Sequence, residues 1–228
     1  MKKVLIVGGV AGGASTATRL RRLNEDLEII LFEKGQHVSF ANCGLPYHIG
    51  GVIENRESLL VQTPESLKER FNLDVRVNSE VISVNSQEKS VMVKTKDGEK
   101  YKESFDYLVL APGAKPLVPP VDGIGEKNIY TLRNVTDLDK IMEKIRSVKE
   151  AIVIGGGFIG VEVAENLQEI CITTTLNKLN CNLRIKSGCM HSCTDSAWST
   201  KTINMCVSHN LFILLPCILG VTKINTML

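Results

Sequence analysis

The sequence predicts an α/β fold: a doubly wound, Rossmann-like nucleotide-binding domain carrying a β-meander, followed by the start of a second Rossmann-like domain. Three observations predict it. A glycine-rich turn at residues 8–13 follows a short apolar run and opens a helical stretch. A second such turn, at residues 155–160, repeats the pattern about 150 residues later. Between the two lie short β-like runs separated by turn residues.

The first turn begins after Val4-Leu5-Ile6-Val7, whose β-branched, apolar character reads as a buried parallel strand. Gly8-Gly9-Val10-Ala11-Gly12-Gly13 then leads into a helical stretch from Ala14 to Leu23. The dinucleotide fingerprint is G-x-G-x-x-G. Gly8 and Gly13 fill its first and third glycines, and Val10 stands where the second belongs. Close approach of a pyrophosphate to the backbone is then expected at Gly9 and Gly12. Glu28-Ile29-Ile30-Leu31-Phe32 reads as the next strand and ends on Glu33, 20 residues past Gly13. That is the usual offset of a carboxylate that binds an adenosine ribose.

The second turn follows the β-like run Ala151-Ile152-Val153-Ile154. Gly155-Gly156-Gly157-Phe158-Ile159-Gly160 matches the fingerprint fully, and Val161 to Leu167 begins a helix with Glu162 and Glu165 on one side. The first helical turn of such a unit aims its N–H groups at a pyrophosphate. The ribose carboxylate is expected about 20 residues beyond Gly160, and no strand ending in Glu or Asp is found there.

Between the turns, Thr63-Pro64-Glu65 carries an N-cap, a proline at the first helical position and an acid in the first turn, so a helix runs to about Phe71. Asp74–Val77 and Glu80–Val84 read as strands, and Ser90–Thr95 and Lys100–Lys102 flank the hairpin signal Asp97-Gly98. Tyr107–Leu110 is a further strand, the proline-rich stretch 112–120 reads as a crossing between domains, and Asp137–Val148 is amphipathic and helical. The charged groups Arg19, Arg21 and Arg22, and Lys68, Glu69 and Arg70, read as solvated helix faces.

Cys43 is the only cysteine among the first 170 residues. It sits in Ser39-Phe40-Ala41-Asn42-Cys43-Gly44-Leu45-Pro46-Tyr47, with His48 where a Cys-x-x-x-x-Cys partner would stand. Zinc needs several ligands at set spacing, and none is present around it. Two readings stay open: a small buried hydrophobe, the usual state of a free cysteine, or a reactive thiolate. A lone reactive thiol stores its oxidised state as a mixed disulfide, a persulfide or a sulfenic acid.

Residues 1 to about 169 resemble the flavin-dependent pyridine nucleotide-disulfide oxidoreductases. The string Ser39-Phe40-x-x-Cys43-Gly44-Leu45-Pro46-Tyr47 is similar to the coenzyme A disulfide reductase branch, which includes NADH oxidases and persulfide reductases. Leu110-Ala111-Pro112-Gly113-Ala114-Lys115-Pro116 resembles the family's second flavin-side motif. The resemblance implies FAD on the first turn, with Gly8, Gly9, Ala11, Gly12, Gly13, Glu33, Lys34, Val81, Ala111, Pro112 and Gly113 around it. It implies NADH or NADPH on the second, with Gly155, Gly156, Gly157, Phe158, Ile159, Gly160 and Glu162. It places Cys43 as the redox nucleophile and coenzyme A on Ser15, Arg19, Arg22, Ser39 and Asn42. Ser15, Arg19 and Arg22 are spaced three to four residues apart, on one helix face, which suits phosphate binding. The peroxidase and classical oxidase members carry His where Ala11 stands, so the implied substrate is a small-thiol disulfide or persulfide. The implied chemistry passes two electrons from the nicotinamide through the flavin to a mixed disulfide on Cys43, whose thiol a helix starting nearby would acidify. The alternatives are a water-forming NADH oxidase of the same family and a catalytically inactive nucleotide-binding fragment.

Resemblance therefore divides the chain into an FAD-binding domain at 1–150, the start of an NAD(P)-binding domain at 151–169, and a tail at 170–228. The tail holds six of the seven cysteines and a single acidic residue, Asp195, with no helix or strand period, as expected of out-of-frame or poorly ordered sequence. Cys181, Cys189, His191 and Cys193 fit no standard zinc spacing, and the apolar run 211–221 is too short to span a bilayer. The net charge of +2 gives no reason to expect nucleic-acid or membrane partners. Met-Lys-Lys runs directly into a strand without a signal peptide, and one cysteine in the first 170 residues suits a reducing cytoplasm. A full family member is expected to be a homodimer. By the same resemblance, the later nicotinamide, flavin and dimerisation segments of a full member are not expected in this chain, so weak FAD binding and little turnover are expected.

Overall fold

The computed structural model describes residues 1–118, 124–178, 181–185 and 212–214. Contacts divide the chain into two compact units, one of Met1–Ala41 with Glu57–Ala114 and the other of Asn42–Arg56 with Lys115–Leu228.

In the first unit, β1 (Lys3–Val7), β2 (Glu28–Phe32), β3 (Asp74–Arg76) and β7 (Tyr107–Leu110) form a parallel sheet in the order β3-β2-β1-β7. Both faces are covered, which is why β1 and β2 read as continuous apolar runs rather than alternating ones. Val4, Ile6, Ile29 and Leu31 pack with Ala17 of helix α1 (Ala11–Leu23) and Leu67 of helix α3 (Pro64–Phe71). Leu5, Ile30 and Phe32 point the other way and pack with Val91 and Val93. Those two valines belong to the antiparallel meander of β4 (Ser79–Asn85), β5 (Ser90–Thr95) and β6 (Lys100–Ser104). Helix α3 starts as its sequence dictates. Thr63 accepts from the Ser66 N–H at 3.2 Å, and Ser66 Oγ accepts from the Thr63 N–H at 3.0 Å, a complete capping box.

The second unit holds α2 (Leu45–Ile49), β8 (Ile129–Tyr130), α4 (Val135–Ile145), β9 (Glu150–Ile154), α5 (Phe158–Glu169), β10 (Thr173–Lys178), β11 (Cys181–Ile185) and β12 (Phe212–Leu214). Its sheet runs β11-β10-β9-β12-β8, with β9 and β10 parallel and the other pairs antiparallel. Helix α4 begins two residues earlier than its periodicity suggests, because Asn134 caps it by accepting from the Asp137 N–H at 2.8 Å.

Two sequence expectations are corrected. The expectation of a tail without strand period fails at its start, where β10 pairs along all of β9. Ile172, Thr174 and Leu176 are buried in alternation there. Thr174 disguises the pattern: it is polar by type, but its hydroxyl donates to the Ile172 carbonyl at 3.1 Å, so it can occupy a buried position. Second, Arg21 is not solvated. It is 9% exposed and donates to three carbonyls, those of Phe71 at 2.9 Å, Glu25 at 2.6 Å and Asn72 at 3.0 Å. Cys189, His191 and Cys193, and the apolar run apart from β12, lie outside the described residues. Among the described residues there is no cluster of potential metal ligands and no helix long and apolar enough to cross a membrane.

Candidate dinucleotide turns and reactive thiol

The first turn is shaped by what it cannot accommodate. Gly8 has φ +100°, and a Cβ there would sit 2.0 Å from the Ala111 carbonyl oxygen. A Cβ on Gly13 would sit 1.7 Å from the Gly8 carbonyl oxygen. Strand, turn and helix are therefore packed backbone to backbone, with Ala111 of the second motif closing one side. Helix α1 has no side-chain cap at its N-terminus and no acid in its first turn, leaving its positive end available to an anion.

Glu33 is nearly buried, and its carboxylate accepts from the Gly9 N–H at 2.7 Å and the Gly35 N–H at 2.8 Å. A carboxylate has about four lone-pair sites, so two remain for hydroxyl donors such as a ribose diol. The division of labour between the glycines differs from expectation. Gly9 is buried with its N–H committed to Glu33, whereas Gly12 is exposed in the first turn of α1 and remains the glycine open to a ligand. Lys34 is exposed beside Glu33, Val81 packs toward the meander core where the β4–β5 register shifts, and Pro112 and Gly113 are exposed after Ala111.

The second turn repeats the first. Gly155 has φ +127°, and its N–H donates to the Asn177 carbonyl at 2.9 Å. Gly156, Gly157 and Gly160 are buried, while Phe158 and Ile159 are exposed at the start of α5. This helix too has no side-chain cap and no acid in its first turn. Glu162 is half-buried, and its carbonyl accepts from Asn166 Nδ2 at 2.8 Å.

Cys43 is exposed, which removes the reading of a buried small hydrophobe. It lies in a 3-10 turn, Asn42–Gly44, that runs into the five-residue α2 rather than a full helix. Beside it, Asn42 Oδ1 is shut off from solvent without a hydrogen-bond partner among the described residues. The segment is anchored at three points. His48 Nδ1 lies 2.7 Å from the Ile53 carbonyl, which can only accept, so Nδ1 carries the proton. A Cβ on Gly50 would fall 2.2 Å from Asn166 Oδ1, so only glycine lets α2 meet α5 this closely. Arg56 grips Asp139 with both Nε, at 2.6 Å, and Nη2, at 2.8 Å.

Ser15 and Ser39 line one cavity of about 230 Å³ in the first unit. Gln62 and the exposed Arg70 line it too, beyond the site residues the sequence suggests. The Val61 N–H donates to the Ser39 carbonyl at 3.0 Å, which holds the Gln62 segment beside Ser39. Arg19 and Arg22 are exposed on α1 and do not line this cavity. Asn42 belongs to the second unit.

A parallel sheet crossed by glycine-rich strand-to-helix turns defines a Rossmann-like nucleotide-binding protein. Residues 2–196 match the family model for pyridine nucleotide-disulphide oxidoreductases, and the chain belongs to that family of oxidoreductase enzymes. It is 42% identical over 179 residues to the coenzyme A disulfide reductase of Staphylococcus haemolyticus, covering 77% of this chain and 40% of that protein. Among solved structures, it is similar to the reduced CoADR-RHD of Bacillus anthracis, with TM-score 0.76 and 56% identity over 78% of this chain and 32% of the other. It is also similar to the NAD-dependent persulfide reductase of A. fulgidus, with TM-score 0.74 and 34% identity over 76% of this chain and 33% of the other. The chain thus spans 40% of the length of the staphylococcal reductase.

Proposed function

We propose that this chain is the N-terminal portion of an FAD-dependent NAD(P)H oxidoreductase that reduces coenzyme A disulfide, or a related small-thiol disulfide or persulfide, through Cys43. The observation that carries this reading is an exposed lone thiol next to a buried, unpartnered acceptor, Asn42 Oδ1, in a segment fixed at Gly50 and Arg56. FAD bound on the first turn and a nicotinamide dinucleotide on the second would supply the two electrons.

The chain's own residues have separate tasks. Glu33 holds the first turn and offers its free lone pairs to a ribose diol. The uncapped N-termini of α1 and α5 face pyrophosphates. Ser15, Ser39, Gln62 and Arg70 offer hydroxyl, amide and guanidinium groups to the polar body of coenzyme A. Arg19 and Arg22 add positive charge on α1. Cys43 attacks as a thiolate: one substrate S–S bond breaks, one Cys43–S–S–R bond forms, and R–S⁻ leaves. Two electrons and one proton then split the mixed disulfide into the Cys43 thiolate and R–SH. The flavin half rests on residues within 1–150 and the nicotinamide half on residues from 151 onward, with partners beyond this chain in a homodimer.

The test is release of coenzyme A thiol from its disulfide by the chain incubated with FAD and NADH or NADPH, alongside Cys43→Ser. Slow release that disappears in the variant is expected. Equal release by both proteins overturns the role of Cys43. Oxygen uptake without added disulfide assigns the chain to the oxidase reading, and no reaction from either protein assigns it to the inactive fragment.

A further inference from the structure

Asn166 is the one polar residue on the buried face of α5. It is 4% exposed, and Val163, Ala164 and Leu167 beside it are buried too. An apolar side chain of similar volume would fill the position without a desolvation cost, so the amide calls for a reason. Its Nδ2 donates to the Glu162 carbonyl at 2.8 Å, one turn back in the same helix. That bond fixes the amide and leaves Oδ1 against Gly50, at the end of α2. Gly50 has φ −76° and ψ −4°, so nothing in its backbone conformation calls for glycine. Space does. A Cβ there would fall 2.2 Å from Asn166 Oδ1 and 2.9 Å from both Asn166 Cβ and Cγ. The end of α2 therefore rests its backbone on a single side chain of α5.

Gly50 and Cys43 are parts of one short body. Cys43 lies in the 3-10 turn Asn42–Gly44, which runs directly into α2, and the Gly50 N–H closes that helix on the Pro46 carbonyl at 3.2 Å. The Ile53 N–H donates to the Tyr47 carbonyl at 3.2 Å and His48 Nδ1 donates to the Ile53 carbonyl at 2.7 Å, so the segment is folded on itself. Helix α5 in turn opens at the second glycine turn, with Asn166 about 12 Å along its axis from Phe158. We propose that Asn166 is a positioning residue for Cys43, holding the thiol segment at a set distance from the helix of the second turn. The role rests on reading Cys43 as the thiol that meets a disulfide.

The test is peptide mass mapping of the reduced full chain after brief exposure to coenzyme A disulfide. It reads addition at Cys43 as a ratio to addition at Cys171, an exposed thiol outside the segment. Gly50→Ala must part α2 from Asn166 by about 1 Å. A shift of that size is expected to slow addition at Cys43 about tenfold or more while Cys171 keeps its rate. Adding Asn166→Gly removes the obstructing atoms, lets the new methyl take their space, and should restore most of the Cys43 rate. Asn166→Ala, which removes the amide without adding bulk, should slow Cys43 several-fold by itself, and it decides the question if Gly50→Ala fails to fold. Variants that react like the wild type, an equal change at both cysteines, or a double variant as slow as Gly50→Ala overturn the role of Asn166, and a fast wild-type Cys43 then keeps its own. A wild-type Cys43 no faster than Cys171 overturns both readings at once.

Discussion

At the scale of single residues, Arg21 and Glu33 do similar work with opposite charges. Each is a nearly buried ion whose hydrogen bonds all go to backbone groups. Arg21 satisfies carbonyls at the end of α3, where the helix itself leaves acceptors unpaired. Arg21→Ala is expected to cost about 1–3 kcal/mol of stability, and Arg21→Lys to recover only part of it, since one ammonium cannot span three carbonyls. Urea denaturation of the purified variants checks this. Glu33→Gln should loosen the first turn and weaken FAD binding about tenfold or more, because one of its two backbone donors loses its acceptor; quenching of flavin fluorescence checks it. Glu33 stands at the offset the fingerprint predicts, and its carboxylate accepts from the Gly9 and Gly35 N–H groups. Arg21 reads as solvated in the sequence, although Ala14, Ala17 and Arg21 follow the three-and-four spacing of a buried stripe; its charge masked its place on that face. Ser15, Arg19 and Arg22 follow the same spacing on a neighbouring face and are exposed, so spacing identified the face but not what covers it.

At the scale of elements, the glycine turns were the most legible features, because their constraint is steric and local. A side chain at Gly8 meets the Ala111 carbonyl oxygen at 2.0 Å in a backbone conformation that L-residues avoid. Gly8→Ala is therefore expected to cost about 2 kcal/mol or more and to abolish FAD binding. A lowered thermal midpoint, together with loss of flavin retention on dialysis, checks it. Strand β10 lies at the other extreme. Its alternation depends on a buried threonine whose hydroxyl is paired with the carbonyl of Ile172, two residues back, which a search for apolar residues does not register. The short α2 was equally opaque: its position is set by the contact of Gly50 with Asn166, more than 100 residues away in sequence, and a local reading sees only a proline-containing turn.

At the scale of the whole molecule, the first unit is tied across its strands by one charged network. Lys3 on β1 bonds Glu28 on β2 and Glu103 on β6, and Arg76 on β3 bonds Asp74 and Glu103 while lying over the Phe32 ring. Burial opposes ionisation of Glu103, yet the hydrogen bonds from Lys3 and Arg76 hold its carboxyl below the ordinary glutamate value. A depressed carboxyl pKa contributes stability above the unfolded value, about 4.3, and loses it as pH falls through the folded value. Stability should fall with acidification from that point downward, and Glu103→Gln should flatten this fall; urea midpoints across that range check it. Composition and charge could not reveal the network, because it joins four strands brought together only by the fold.

The central claim is that Cys43 is a reactive thiol built to meet a small disulfide. The measurement that tests it most directly is peptide mass mapping after brief exposure of the reduced chain to coenzyme A disulfide at neutral pH. Cys43 is predicted to acquire coenzyme A ahead of the exposed Cys171 and the other five cysteines, and Cys43→Ser to remove this fast addition. Addition at Cys43 no faster than at Cys171 would contradict the claim.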